Sequence, residues 1–287
     1  MSPMVNSAEQ GDVILPGGLS ALDGQDMAAL ERAVAELEYS SLAMRLTAIV
    51  GRKVDLLGSL VPGQVSDVAN KAAESAINTA MSLALRSLNG ARLKDRRRLH
   101  RGVVVVAGAA GGAAGFSGLA IELPFTTTIM LRSIADIARG EGEDLKNPAT
   151  ALACLEVFAL GGRAEPGAGR FGDDRVETGY FAVRGMLAKS VSEAARFLLE
   201  RGIVEEAAPA LVRFITLVGS RFGFMVSQKL AAQSIPIIGG VCGAGVNYAF
   251  VDHFQRLARG HFTIRRLERR YGARTVEAEY ERITRAS

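Results

Sequence analysis

The stretch Gly102–Ile121, GVVVVAGAAGGAAGFSGLAI, decides how the rest of the chain is read. It holds twenty residues without a charge. Before it stands the basic segment ARLKDRRRLHR, and after it come Glu122, Leu123 and Pro124. Four valines followed by GAAGGAAG suggest a strand feeding a dinucleotide loop. The G-x-G-x-x-G spacing is absent, and no strand–helix alternation follows. No Gly-Lys-Ser/Thr follows either, which removes a phosphate-cradling loop of the Walker type. The spacing fits a helix with a smooth face instead. Gly108 and Gly112 lie four apart, as do Gly111 and Gly115. Small residues at that interval let a second helix approach closely. Each glycine costs a helix roughly 1 kcal/mol relative to alanine, so a compensating backbone contact is expected.

A second charge-free run, LAAQSIPIIGGVCGAGVNYAFV, covers Leu230–Val251 and repeats the device with Gly239 and Gly243. Two glycine-faced helices at the centre of an all-α, single helical domain are therefore predicted. The boundaries read as an N-terminal arm over 1–20, the helical domain over 21–272 and a charged tail over 273–287. No convincing strand is expected anywhere.

Composition agrees with this class. Hydrophobic residues make up 48% and charged residues 22%, near globular averages, with mean hydropathy +0.18. Trp is absent, so the interfacial anchor of membrane spans is missing. Cys154 and Cys242 have no CxxC spacing and sit in apolar helical contexts, which fits two buried thiols in a reducing cytoplasm. The N-terminus lacks the basic and apolar regions of a signal peptide, and no CaaX box closes the chain.

Elsewhere the pattern is helical. Asp23 is a fair cap for an amphipathic helix carrying Met27, Leu30, Val34 and Leu37. A further helix runs from about Ser66 to Leu88 and stops at Asn89-Gly90. Pro124, with threonines after it, is expected to open another, which ends near Gly140. Asn147-Pro148 starts the next, carrying Cys154, Glu156 and Phe158 as far as Gly161-Gly162. Residues 161–175 read as a loop. Two more helices follow, in which Phe214, Phe222 and Phe224 read as core.

The residues that could carry chemistry are few. Glu122, Asp136, Asp252 and His253 are the candidate acids and bases, since carboxylates among apolar helices titrate abnormally. Their bland role is to cap helices and pair with arginines, as Arg132 and Asp136 can do one turn apart. His261 lies eight residues beyond His253, but Gly260 interrupts the helical pattern between them. There is no HExxH and no paired histidine at ligand spacing, so neither a metal nor a cofactor is expected. A nucleophile elbow is also missing. Candidate binding residues are Arg132, Asn247, Arg256, Arg259, Arg265 and Arg266. The basic segment 92–101 has three readings: a solvated helix face, a flank against anionic headgroups, or a nucleic-acid patch. The lack of interleaved aromatics argues against nucleic acid.

Taken together, GAAGGAAGFSGLAIELPFTTTIMLRSIADIARGEGED, ALACLEVFALGG, TGYFAVR and IPIIGGVCGAGVNYAFVDHFQRLARGHFTIRRLERRYG resemble the EcsC family over roughly residues 40–272. The resemblance implies a helical fold in a bacterial protein, cytoplasmic or peripheral at the inner membrane. The family is named for a gene beside a transporter operon linked to secretion, which implies a membrane transporter component as partner. It supplies no catalytic residues. Two features of the sequence point to an anionic membrane surface or lipid as a partner. The charge-free runs are near the ~20 residues that span a bilayer, and basic clusters flank them. An enzyme and a protein-binding adaptor are the alternatives.

Overall fold

A computed structural model describes residues 14–15, 19–20, 22–38, 42, 46, 63–88, 116–161, 179–201, 209–233 and 240–286. The architecture is all-α. A two-residue antiparallel ladder, β1 (Ile14–Leu15) with β2 (Leu19–Ser20), precedes the helices. No strand was expected anywhere in the chain, and this short ladder departs from that expectation. The described helices are α1 (Gly24–Glu38), α2 (Gly63–Leu88), α3 (Phe116–Gly140), α4 (Pro148–Leu160), α5 (Tyr180–Arg201), α6 (Pro209–Gln233), α7 (Gly240–Tyr271) and α8 (Ala273–Ala286).

Local chemistry sets several of these limits. Asp23 Oδ1 accepts from the Asp26 amide at 2.8 Å and caps α1. Asn147 Oδ1 does the same for Ala149 at 2.9 Å, with Pro148 in the first turn of α4. Gly272, at φ +86°, makes the left-handed turn that separates α7 from α8. Pro124 does not open its helix. It sits inside α3, which starts eight residues earlier at Phe116. The threonines after it cap nothing: Thr126 Oγ1 and Thr127 Oγ1 are buried without a hydrogen-bond partner.

The centre of the bundle is α4, where every residue from Thr150 to Leu160 is buried. A helix apolar on all sides must be covered on all sides, and α2, α3, α5, α6 and α7 each pack on it. Phe158 of α4 meets Phe222 of α6 and Phe254 of α7, with ring centroids 5.1 and 5.3 Å apart. Phe250 completes the group, 5.1 Å from Phe254. Phe214 and Phe222 are core as expected, whereas Phe224 is 39% exposed.

The close helix approach expected of glycines occurs, but at a pair the sequence reading passed over. Gly219 and Gly223 of α6, one turn apart, lie against Glu74 and Asn70 of α2. A Cβ on Gly223 would stand 3.2 Å from Asn70 Cα, and one on Gly219 would stand 3.5 Å from Glu74 Cα. The pairing expected of Gly108, Gly111, Gly112 and Gly115 with Gly239 falls outside the described residues, as does most of the loop at 161–175. Gly243 lies on α7 near its start.

Candidate functional site: a buried polar cluster beneath an arginine clasp

The second half of α7 carries the arginines that the sequence offers to an anionic partner. Within the fold each meets a carboxylate. Arg256 pairs with Asp252 one turn earlier at 3.0 Å, and Arg259 with Glu36 of α1 at 3.1 Å. Arg265 reaches Glu143 at 2.8 Å, and Arg269 holds the same carboxylate. Arg266 bridges Asp26 and Glu141, both at 2.8 Å. Arg270 closes on Asp26 at 2.7 Å, and Tyr271 Oη donates to the same Asp26 oxygen at 3.0 Å. Burial would raise the Asp26 carboxyl, but the hydrogen bonds from Arg266 and Tyr271 and the charges of Arg266 and Arg270 hold it below its usual range. Glu143 behaves alike: burial opposes ionisation, and Arg265, Arg269 and the Thr150 hydroxyl outweigh it. These groups form a clasp that ties α1 and the α3–α4 turn to α7.

Beneath the clasp lies a cluster that sequence reasoning did not assemble. Tyr180 Oη of α5 is 2.9 Å from His261 Nδ1 of α7. Arg184, one turn on from Tyr180, grips Glu268 with two hydrogen bonds of 2.7 and 2.8 Å and reaches the Tyr180 hydroxyl at 3.4 Å. Tyr280 of α8 stacks beside Tyr180, with centroids 5.8 Å apart, and donates its hydroxyl to Glu38 Oε1 at 2.6 Å. Glu38 Oε1 also accepts the Tyr180 amide at 2.9 Å, capping α5. Glu156 of α4 completes the set, 4% exposed. Burial pushes its carboxyl up to about 7, against the pull of Arg184 and Arg265. Burial also holds the His261 imidazole well below its usual value, with Arg184 and Arg265 adding to the effect, so the ring is neutral. The Tyr180 phenol is driven up, again first by burial.

The other candidates are scattered. Asp136 is buried and paired with Arg139 rather than Arg132. Arg132 Nε has no hydrogen-bond partner; with Cys154, Leu83 and Leu145 the residue lines a cavity of about 20 Å³, room for one water. Asp252 faces Arg256, and Asn247 is buried near the start of α7. His253 is buried against Gly161, where a Cβ would meet its Nε2 at 2.6 Å. Glu122 has a helical backbone, but its side chain lies outside the described residues. Gly260 does not break α7, which is continuous through it, so His253 and His261 do share one helix. They nevertheless serve different neighbourhoods, the phenylalanine group and the tyrosine stack. The signal that could have found the cluster was Tyr180 and Arg184 one turn apart, with Glu268 seven residues beyond His261.

No group of three or more metal-ligating side chains occurs among the described residues. No curated protein and no solved structure matches the chain. The model of the EcsC protein family matches residues 25–267, so the chain, from α1 almost to the end of α7, belongs to the EcsC protein family.

Proposed function

We propose that this is a peripheral membrane protein of the bacterial cytoplasm that lays the outer face of α6 against lipid or an apolar membrane partner, in support of transport or secretion. The observation that carries this is the character of that face. Among the described helices, α6 alone is long and apolar enough to cross a membrane, and half of its apolar window is buried. The outward half shows Val212, Leu217 and Phe224, at 48%, 39% and 39% exposure, with Thr216 and Ser220 between them. Of its charged residues, Arg213 is exposed, Arg221 Nε donates to the Ala159 carbonyl, and Lys229 is buried. A helix with one face in the core and an almost uncharged opposite face fits partial immersion at an interface. The arginines of α7 are spent on internal carboxylates, so this reading moves the contact from them to α6.

Vesicle flotation tests it. The wild-type chain should rise with lipid and be released by alkaline carbonate, and the double variant Leu217→Glu/Phe224→Glu should stay in the dense fraction. A wild-type chain that never floats would end this reading.

One observation favours a second reading, an enzyme. Glu156 holds its proton near neutrality beside Tyr180, His261 and Arg184, as a general acid would. A metabolite screen that finds turnover lost in Glu156→Gln, with the fold intact, would establish it.

A further inference from the structure

Tyr180 stands between the bundle and its last helix. On one side its hydroxyl meets His261 Nδ1; on the other its ring meets Tyr280 of α8. Arg184 Nη1 also donates to the Tyr180 oxygen, and a neutral His261 ring either accepts the phenol proton at Nδ1 or donates an Nδ1 proton to that oxygen. Nε2 is buried and has no hydrogen-bond partner.

An imidazolium carries a proton on both nitrogens, so whichever tautomer the neutral ring holds, Nε2 would become a charged, buried donor with no partner while Nδ1 would require the Tyr180 phenol to turn its proton away. The charges facing the ring make matters worse. Arg184 of α5 and Arg265 of α7 are both positive. The nearby carboxylates are committed: Glu268 to Arg184, Glu143 to Arg265 and Arg269, and Glu38 to the Tyr180 amide and Tyr280. Glu156 of α4, buried, favours its protonated form. The folded cluster has no place for an imidazolium.

The element most easily moved is α8. It follows Gly272, a left-handed turn with open space around it. It buries Thr275, Val276 and Tyr280; among the described residues its ion pairs, Arg282–Glu279 and Arg285–Glu281, are internal to the helix, and its side chains reach α1 through Tyr280 to Glu38 and Arg282 to Met27 Sδ at 3.9 Å. The clasp around Asp26 and Glu143 holds α1 to α7 independently of it.

We propose that His261 is an acid-sensitive pin: proton uptake by its ring expels Tyr180 from the stack, unseats Tyr280, and frees α8 while the bundle stays folded. The sign follows from burial. A neutral ring with a lowered pKa favours the docked helix above about pH 6.5, the ordinary imidazole value, and this preference is lost as pH falls below it. Asp26 and Glu143, held low, keep their charges through this window.

Amide hydrogen exchange on the full chain between pH 7.5 and 5.0, corrected for intrinsic rates, tests the pin. Protection over residues 276–284 should fall by up to about tenfold per pH unit, the slope of one proton, while 250–267 hold theirs. His261→Gln cannot take the proton and should keep α8 protected at pH 5.0. The proposal is overturned if that variant loses α8 protection as the wild type does, or if α7 and α8 open together. Should the variant not fold, the wild-type histidine Cε1 resonances decide: His261 must take up its proton in step with α8 release, and a ring that stays neutral while α8 opens overturns the pin.

Discussion

Arg184 holds Glu268 with two parallel hydrogen bonds, 2.7 and 2.8 Å long, across the α5–α7 contact. Both side chains are mostly buried, at 23% and 13% exposure, so water replaces little of what is lost when one is changed. A planar fork matches a carboxylate in a way that an ammonium does not. Arg184→Lys should cost about 1–3 kcal/mol in denaturant unfolding, and Glu268→Gln should cost a comparable amount. Loss of less than 0.5 kcal/mol in both would show that the pair is merely tolerated.

Glycine positions separate by what surrounds them. A Cβ at Gly161 would stand 2.6 Å from His253 Nε2, 2.7 Å from Met225 Sδ and 2.8 Å from Leu257 Cδ1. Gly161→Ala should destabilise by about 1–3 kcal/mol, the usual range for overpacking. Gly219 offers ordinary contact at 3.5 Å, so Gly219→Ala should be neutral or gain up to about 1 kcal/mol in helix propensity. Thermal unfolding of the two variants side by side reads the contrast.

Glu156 gives a pH signature of its own. Its carboxyl is raised from an ordinary 4.5 to about 7, chiefly by burial. The unfolded chain releases this proton at lower pH than the fold does, so the penalty on folding grows between pH 4.5 and 7 and is complete above. Glu156→Gln should therefore stabilise the protein at pH 8, on the order of 2–3 kcal/mol. The gain should nearly vanish at pH 4.5. Urea midpoints at the two pH values provide the measurement.

Asp26 runs the other way. Its pKa is lowered by its partners, so its contribution is present above the ordinary carboxylate range and is lost as pH falls through the depressed value. Arg266 and Arg270 are partly exposed, at 33% and 59%, which screens the attraction. Asp26→Asn should cost roughly 1 kcal/mol at pH 7 and flatten the acid limb of the stability curve below pH 4. An unchanged acid limb would remove Asp26 from the account.

Helix ends were the most legible part of the chain, because capping is local chemistry. Asp23 and Asn147-Pro148 each act within a few residues of where they stand in sequence. Pro124 misled because its missing amide is tolerated inside a longer helix, a matter of surroundings rather than of sequence. The arginines of α7 read as a surface for anions because their partners, Glu36, Asp26 and Glu143, lie more than a hundred residues away. For the same reason the Tyr180–His261–Glu156 cluster, drawn from α5, α7 and α4, could not be seen in any one window. Gly219 and Gly223 were overlooked beside richer glycine runs, although four-residue spacing was the right rule.

The clasp joins Asp26 to Arg270, 244 positions apart. During synthesis, at about 5–20 residues per second, α1 leaves the ribosome roughly 10–50 s before the arginines that will hold it. Throughout that delay Leu30 and Val34, buried in the fold, lack α7 and α8, the described helices on which α1 chiefly packs. Helix α1 is thus among the last of the described helices to dock, and a nascent chain of this protein is a natural client for holding chaperones.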